Sequence, residues 1–459
     1  MTSRSDQLHS HQFSQQRAVA ALAMRDPDPA TPPQRRVTGA LFASVMVALL
    51  AVAGAGVYGL VRPGTSGAWR DGGATIIERE TGARYVFLDG TLHPVLNLTS
   101  AMLILGTSET VQVARQDLVD VPRGTPVGIT GAPDPLPGRD QLVSGPWTLC
   151  SRSAGSGTPE SVLRVGWAPD QAPLSDDGVL AADPTGGLHL LWHGRRFALR
   201  DPDVVLAAFA WAAASATTVD AALLNAIPAG PDLAPPAAPR SQAASALPGV
   251  RVGEVFLVGN PGGVPLHGVA LLDGVSTVTA VQARLLLAAG ANPDGRMREV
   301  GPADYAAARQ LESLIPTGDD APPASTPEQS RPTQLGGVCA THTMDSWPPA
   351  LTVTAALPVA VGEVATAAGD GPGLRADHVA VPPGRGVVVE ALAGAGAPTG
   401  ALAVVSDLGI RFAIPSAEVL AMLGYGDVTP VRLPAALVAL VPAGRALDPA
   451  AAVLPATAG

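Results

Sequence analysis

Four stretches of the chain place a turn between two apolar runs: YVFLDGTLHPV (85–95), LHLLWHGRRFAL (188–199), VALLDGVSTVT (269–279) and ALAVVSDLGIRFAI (401–414). Asp-Gly between alternating apolar residues predicts a hairpin, because a type I′ turn needs positive φ at both central positions. The turn residues are Asp89-Gly90, His193-Gly194, Asp273-Gly274 and Asp407-Leu408-Gly409. His193 stands where the other stretches carry aspartate, and therefore reads as a turn residue.

Each hairpin runs into an apolar segment with a helix start signal. Thr279 and Gln282 form a T-x-x-Q capping box before ARLLLAAG, in which both side chains accept backbone N–H groups left over at the helix start. Asp201 before Pro202 predicts an N-cap followed by proline at the first helical position. Ser416 precedes AEVLAMLG, and Asn97 or Thr99 opens NLTSAMLILG. After the helices come apolar strands ending in Pro-x-Gly: DVPRG (120–124), AIPAG (226–230), AVPPG (380–384) and LVPAG (440–444). The recurrence predicts four copies of a ββαβ unit, too unevenly spaced for a regular solenoid.

A second level of duplication lies above the first. WTLCSRS…ESVLRVG follows the first unit, and GVCATHT…ALTVTA lies in or after the third. Both place a cysteine strand before another strand of alternating apolar residues, which divides the chain into related halves, 75–245 and 250–447. Cys150 and Cys339 are the only cysteines. Two isolated cysteines make a poor metal site and an economical disulfide, the alternative being two unrelated buried thiols. A bridge closing so long a loop stabilises by roughly 5 kcal/mol at most, from the chain entropy it removes.

One segment does not follow the strand pattern. Val37 to Leu60 carries no charge, and at about 1.5 Å per residue a helix of this length crosses a roughly 30 Å hydrocarbon core. A cleaved signal peptide fits less well, since the apolar region is too long and the polar leader too extended. Arginines flank the segment on both sides, so their count hardly fixes orientation. If the cysteines are bridged, the larger part lies outside the cytoplasm and residues 1–36 inside. Within that leader, Gln15, Gln16, Val19, Leu22 and Ala23 predict a modest amphipathic helix that stops at Asp26-Pro27, where proline cannot continue it.

Composition narrows the function classes. The chain has no lysine, which excludes a P-loop, and its net charge of −10 argues against a nucleic-acid partner. His189 and His193 are four apart, but on a strand and a turn, not on one helical face, so no metal site is expected. His93 is matched by other residue types in the other units; His267, His342 and His378 have no evident partner. The DPDP (26–29) and DPD (201–203) carboxylates are explained by prolines and helix starts. No G-x-S-x-G, H-E-x-x-H, C-x-x-C or dinucleotide-binding G-x-G-x-x-G stands in a suitable context, so no catalytic, cofactor-binding or metal-binding residue is assigned. Three function classes remain: a structural assembly subunit, a cell-wall (peptidoglycan) binding module using Trp147, Trp167, Trp192, Trp211 or Trp347 as platforms, and a membrane-anchored ATPase or hydrolase. The first fits the sparse aromatic and charged residues best.

The leader DQLHSHQFSQQRAVAALAMRDPDP, then RRV and the apolar segment, then YVFLDGTLHPVLNLTSAMLILG resemble EccB, a core membrane protein of type VII (ESX) secretion systems. LHPVLNLTSAMLILG is the most specific part; LLWHGRRFAL, LLDGVSTVTAVQARLLLA and the paired cysteines follow in order, so the resemblance spans essentially the whole chain. It implies an α+β chain: a cytosolic leader with a short helix (1–36), one transmembrane helix (37–60), a linker (61–74) and an elongated extracytoplasmic region. In that region four repeat domains surround a central β domain in pseudo-two-fold related halves. The repeats fall at 75–130, 181–247, 263–300 with 375–395, and 396–447. The central domain takes 131–180, 248–262 and 301–374, and 448–459 is a short tail in place of the family's proline-rich one. The resemblance puts the family's central disulfide on Cys150 and Cys339. It implies EccC, EccD and EccE type partners, an associated mycosin protease and a homo-oligomer in the plasma membrane. ATP hydrolysis has been attributed to the family, but no motif here supports it.

Overall fold

The computed structural model describes residues 4–25, 33–61, 68–153, 157–260, 263–316, 321–344, 347–366 and 374–456. Two compact units emerge, Met1–Asp71 with Val113–Asp120, and Gly72–Gln112 with Val121–Gly459. The first holds helices α1 (Arg4–Met24) and α2 (Pro33–Val61). Within α2, Thr38–Val57 is long and apolar enough to cross a membrane, and none of that stretch is buried by protein. Helix α1 is longer than the leader pattern predicts; its expected stop at Asp26-Pro27 lies outside the described residues.

The second unit is built on four small sheets and one larger one. The first small sheet holds β1 (Thr75–Glu78), β2 (Arg84–Leu88), β3 (Thr91–Pro94) and β4 (Thr110–Val113), with helix α3 (Leu98–Leu105) between β3 and β4. The second holds β7 (Asp177–Ala182), β8 (Leu188–Trp192), β9 (Arg195–Ala198) and β10 (Thr217–Thr218), with α4 (Pro202–Phe209) before β10 and α5 (Ala221–Ala226) after it. The third holds β11 (Val255–Val258), β12 (Leu266–Ala270), β13 (Val275–Val278) and β14 (Arg298–Val300), with α6 (Ala280–Ala288) and α7 (Pro302–Ala307). The fourth holds β20 (Val387–Leu392), β21 (Ala401–Val405), β22 (Arg411–Ile414) and β23 (Val431–Pro434), with α8 (Ala417–Met422) and α9 (Ala435–Val438). In every case the strand order is third, second, first, fourth. β15 (Glu328–Gln329) also pairs with β7, and α10 (Pro449–Ala452) follows the fourth sheet.

The larger sheet has six strands in the order β17-β16-β5-β6-β19-β18. They are β5 (Trp147–Ser153), β6 (Pro159–Val165), β16 (Gly337–His342), β17 (Ala350–Thr354), β18 (Glu363–Ala365) and β19 (His378–Ala380). Apolar packing joins the small sheets in pairs. Met102 and Leu103 of α3 pack with Phe412, Val419 and Leu420 of the fourth sheet. Val281 and Leu285 of α6 pack with Leu190, Val205 and Leu206 of the second.

Three expectations need correction. In each small sheet a further strand precedes the hairpin in an interior place, and the strand after the helix is not the segment that ends in Pro-x-Gly. Before DVPRG, AIPAG and LVPAG stand a turn, α5 and α9, and these motifs only bridge the hairpin's outer strand. Residues 248–262, read as central, contribute β11, which pairs with β12 and β14 in the third sheet. Residues 375–395, read as part of the third repeat, contribute β19 to the six-stranded sheet and β20 to the fourth small sheet. The third unit instead closes locally, where Gln310 runs parallel beside Val275. AVPPG (380–384) misled because its glycine serves another purpose. Gly384 adopts φ +70° with open space where a Cβ would stand. In the other three motifs the glycine lies under an aromatic ring, His93 over Gly124, Phe197 over Gly230 and Phe412 over Gly444, and a Cβ would overlap that ring.

Candidate functional site: the disulfide-clamped central sheet

Strands β5 and β16 are antiparallel neighbours at the middle of the six-stranded sheet, with Cys150 directly opposite Cys339. The two sulfurs are bonded across 189 residues of sequence, and the Cα atoms are 4.0 Å apart. Because side chains alternate across a strand, cross-strand partners share a face. One face of this sheet carries Trp147, Leu149, Leu163, Val165, Val338 and Ala340, all buried in one apolar core with Leu223 of α5 and Leu437 of α9. The opposite face carries the disulfide, packed with Leu357 and Trp167.

That second face also gathers charge. Arg152 Nη2 lies 2.7 Å from Glu363 Oε1 and 3.4 Å from Glu160 Oε2. His378 Nε2 stands 3.4 Å from Glu160 and its Nδ1 3.6 Å from Glu363. Arg164 lies 3.8 Å from Glu363, stacks on the Trp167 ring at 4.6 Å, and donates to the Pro358 carbonyl. The Glu363 side chain is only 2% exposed. Burial would raise its pKa, but the Ala360 N–H, the Arg152 hydrogen bond and charge, and His378 outweigh it, so the carboxyl is held below its ordinary range. Arg164 is lowered, chiefly by burial, with Glu363 opposing. Such a network pins β19 and the edge strand β18 onto β6, each carboxylate facing a guanidinium.

At the end of β16, His342 sits on the apolar face opposite Trp147. It is 1% exposed, neither ring nitrogen has a hydrogen-bond partner, and burial lowers its pKa to about 4. Asp220 caps α5 by accepting from the Ala222 N–H at 2.7 Å, while its own N–H donates to Ser151 Oγ. Burial raises the Asp220 pKa, with the negative charge of Asp377 adding to it against these hydrogen bonds. Asp377 in turn accepts from the backbone and hydroxyl of Ser161. Both carboxylates are thus committed to holding strand and helix ends.

The turn and cap residues lie apart from this sheet face, each in its own small sheet. Asp89-Gly90 and His193-Gly194 have positive φ at both positions. Asp273-Gly274 does not; the strands are joined by four residues, and Gly274 is needed because a Cβ would overlap the Arg309 carbonyl oxygen. Only Gly409 is left-handed in the fourth turn, where Asp407 accepts from the Gly384 N–H at 2.8 Å. Thr279 and Gln282 make the reciprocal capping bonds, and Ser416 and Asn97 cap α8 and α3. Asp201 occupies the N-cap position without a side-chain hydrogen bond. His189 pairs with Asp183 and His193 with Asp176, so the two histidines do not converge. His93 Nδ1 is 3.0 Å from the Thr125 carbonyl. Burial and nearby Arg284 lower the His267 pKa. Among the described residues no cluster of three metal-ligating side chains occurs. Of the candidate tryptophan platforms Trp147 is fully buried, whereas Trp347 is 40% exposed.

The sequence reading missed Arg152, Glu160, Arg164 and Glu363, and gave His378 no partner although it stands beside Glu160 and Glu363. Its one available signal was the even spacing of charge on the cysteine's face: Arg152 two residues after Cys150 on one strand, and Glu160 and Arg164 two to either side of Val162, the residue opposite Cys150, on the next. The partner strands lie some two hundred residues away.

A membrane-length helix and a β-rich region clamped across its middle define a membrane-attached scaffold of small sheets. The family of the type VII secretion system ESX-1 transport TM domain B matches residues 1–458. This chain belongs to that family, the EccB proteins. It is 30% identical to the ESX-3 secretion system ATPase EccB3 of Mycolicibacterium smegmatis, over 96% of this chain and 88% of that protein. It is 31% identical to the ESX-5 secretion system ATPase EccB5 of Mycobacterium marinum, over 62% of this chain and 59% of that protein. Among solved structures, an intact ESX-5 inner membrane complex contains a chain with TM-score 0.69 and 25% identity, covering all of this chain and 96% of that one. The EccB3 dimer from the ESX-3 core complex gives TM-score 0.66 at 29% identity, over 83% of this chain and 100% of that one.

Proposed function

We propose that this protein is a structural core subunit of a type VII secretion membrane complex, anchored by α2 and assembling through the sheets that follow. The observation that carries the reading is the full-length likeness to a chain of an ESX-5 inner membrane complex. The buried disulfide supports an orientation with residues 4–25 in the cytosol and the sheets outside, because such bridges persist in oxidising compartments. Partners in this reading are EccC, EccD and EccE type subunits, a mycosin protease, and further copies of the chain, as in the EccB3 dimer. Affinity purification from membranes is expected to bring down an FtsK/SpoIIIE-type ATPase and a multi-span protein in one large complex. Recovery of this chain alone would count against the role.

The relatives' names contain the word ATPase. In this reading the chain itself does not hydrolyse ATP: a sequence without lysine has no P-loop lysine for the terminal phosphates. Purified full-length chain, free of partner ATPases, is expected to show no turnover above buffer.

In the same reading the four small sheets are copies of one unit, and residues 75–245 and 250–447 are halves related by a pseudo-two-fold axis between Cys150 and Cys339. The matching strand orders support this, as does the pairing of first sheet with fourth and third with second.

A further inference from the structure

The second and fourth sheets carry the same Arg-Phe-Ala at the same place, in RRFA (195–198) and IRFA (410–413). Arg196 runs parallel beside Ala229 of AIPAG, and Arg411 beside Ala443 of LVPAG. Their backbones bond identically: Arg196 N–H to the Pro228 carbonyl at 2.9 Å, Arg411 N–H to the Pro442 carbonyl at 2.8 Å. Their side chains do not. Arg196 Nε donates to the Ile227 carbonyl at 3.2 Å. Arg411 Nε is buried and makes no hydrogen bond, and the side chain joins no ion pair.

Arg411 instead lines a cleft of about 340 Å3 between α5, α9 and the segment entering β19. Arg375 lines the same cleft and likewise has no side-chain partner among the described residues, and Asn225 adds an amide. The rest of the described lining, Ala226, Leu374, Ala436, Ala439, Leu440, Val441 and Ala443, is apolar, and no carboxylate is among it. Burial lowers the Arg411 pKa, a penalty that a bound anion would offset. Two uncompensated guanidinium groups facing one small space are unfavourable without an anion, and a guanidinium fork matches a planar carboxylate.

We infer that the Arg411–Arg375–Asn225 cleft is a binding site for a carboxylate on a short aliphatic stem, of the kind a peptide presents. The apolar lining accepts the stem, while a phosphate would leave oxygens unpaired against alanine and leucine. A peptide offers this chemistry in two places, its C-terminus and an acidic side chain.

The test is titration of the full-length chain in detergent with N-acetylalanine, which stands for a chain end, and with the backbone N-methylamide of N-acetylaspartate, whose free carboxylate stands for a side chain. Saturable binding of either supports the site, and the tighter of the two assigns the source. Binding is expected to weaken about tenfold or more in Arg411→Gln and in Arg375→Gln, the loss of one charge-assisted hydrogen-bonded contact. Arg196→Gln, at the matching place in the second sheet, is expected to leave it unchanged. N-acetylalaninamide, which lacks the charge, is expected not to bind. Equal binding of that amide, tighter binding of inorganic phosphate, no saturable binding of either carboxylate, or full retention in Arg375→Gln would overturn the assignment. Arg375 is on a half-buried connecting segment, so its variant keeps the test valid should Arg411→Gln fail to fold.

Discussion

The two faces of the central sheet use the same strands to do opposite things. One is mainly apolar, with His342, Ser151 and Ser161 as its polar members, and sits on α5 and α9, so its specificity is largely that of packed shapes. The other holds a disulfide, a stacked Arg–Trp pair and five charged or titratable side chains within 4 Å links. The apolar face can stabilise without choosing exact partners. The polar face chooses them, because a buried charge tolerates only a neighbour of opposite sign at hydrogen-bond distance. The difference teaches how distant pieces of chain are kept in register: bulk burial on one side, covalent and ionic pairing on the other.

The comparison breaks first at the clamp. Replacing Cys150 and Cys339 together by serine is expected to cost roughly 5 kcal/mol, read as a lower denaturant midpoint that reductant no longer shifts. An unchanged midpoint would mean that the backbone ladder and the apolar core alone hold β5 to β16. On the apolar face, Leu163→Ala is expected to cost about 4 kcal/mol by leaving a cavity, in oxidised and reduced protein alike. Glu363→Gln strands Arg152 and Arg164 without their shared carboxylate and is expected to cost about 3 kcal/mol. Faster amide exchange confined to β18 and β19 would locate that loss.

The smallest effect depends on pH. His342 is held neutral, with its pKa lowered from an ordinary 6.5 to about 4 by burial. Below 6.5 the unfolded chain takes up the proton before the folded one does, so stability falls with acidity across that window and levels off below about 4. At pH 5 the loss is roughly 2 kcal/mol, from about 1.4 kcal/mol per pH unit. His342→Leu is expected to flatten this limb of the stability curve; an identical acid limb would assign it to other groups.

Much of the local structure was legible from short stretches. Asp89-Gly90 and His193-Gly194 turn as their residue types demand, and the Thr279–Gln282 box closes as its spacing implies. Asp273-Gly274 shows the limit of that reading. The same dipeptide there serves a close approach of the Arg309 backbone, a contact that no local pattern reveals. The third unit was misplaced for a related reason: AVPPG copies a motif whose meaning is the ring that lies over its glycine. Without the ring, the letters are only a turn.

By itself the amino-acid order determined the membrane-length apolar helix, the hairpins and the capped helices. Each is set by dihedral preferences and hydrogen bonds within a few residues. The cysteine count already pointed to the Cys150–Cys339 bridge, but tertiary structure alone decided its place between β5 and β16, that Glu363 meets Arg152, and that Arg411 opens into a cleft where Arg196 is satisfied. Those outcomes depend on which strands become neighbours. Strand pairing over some two hundred residues is chosen by the summed burial and register of the whole sheet, so no single stretch of letters contains it.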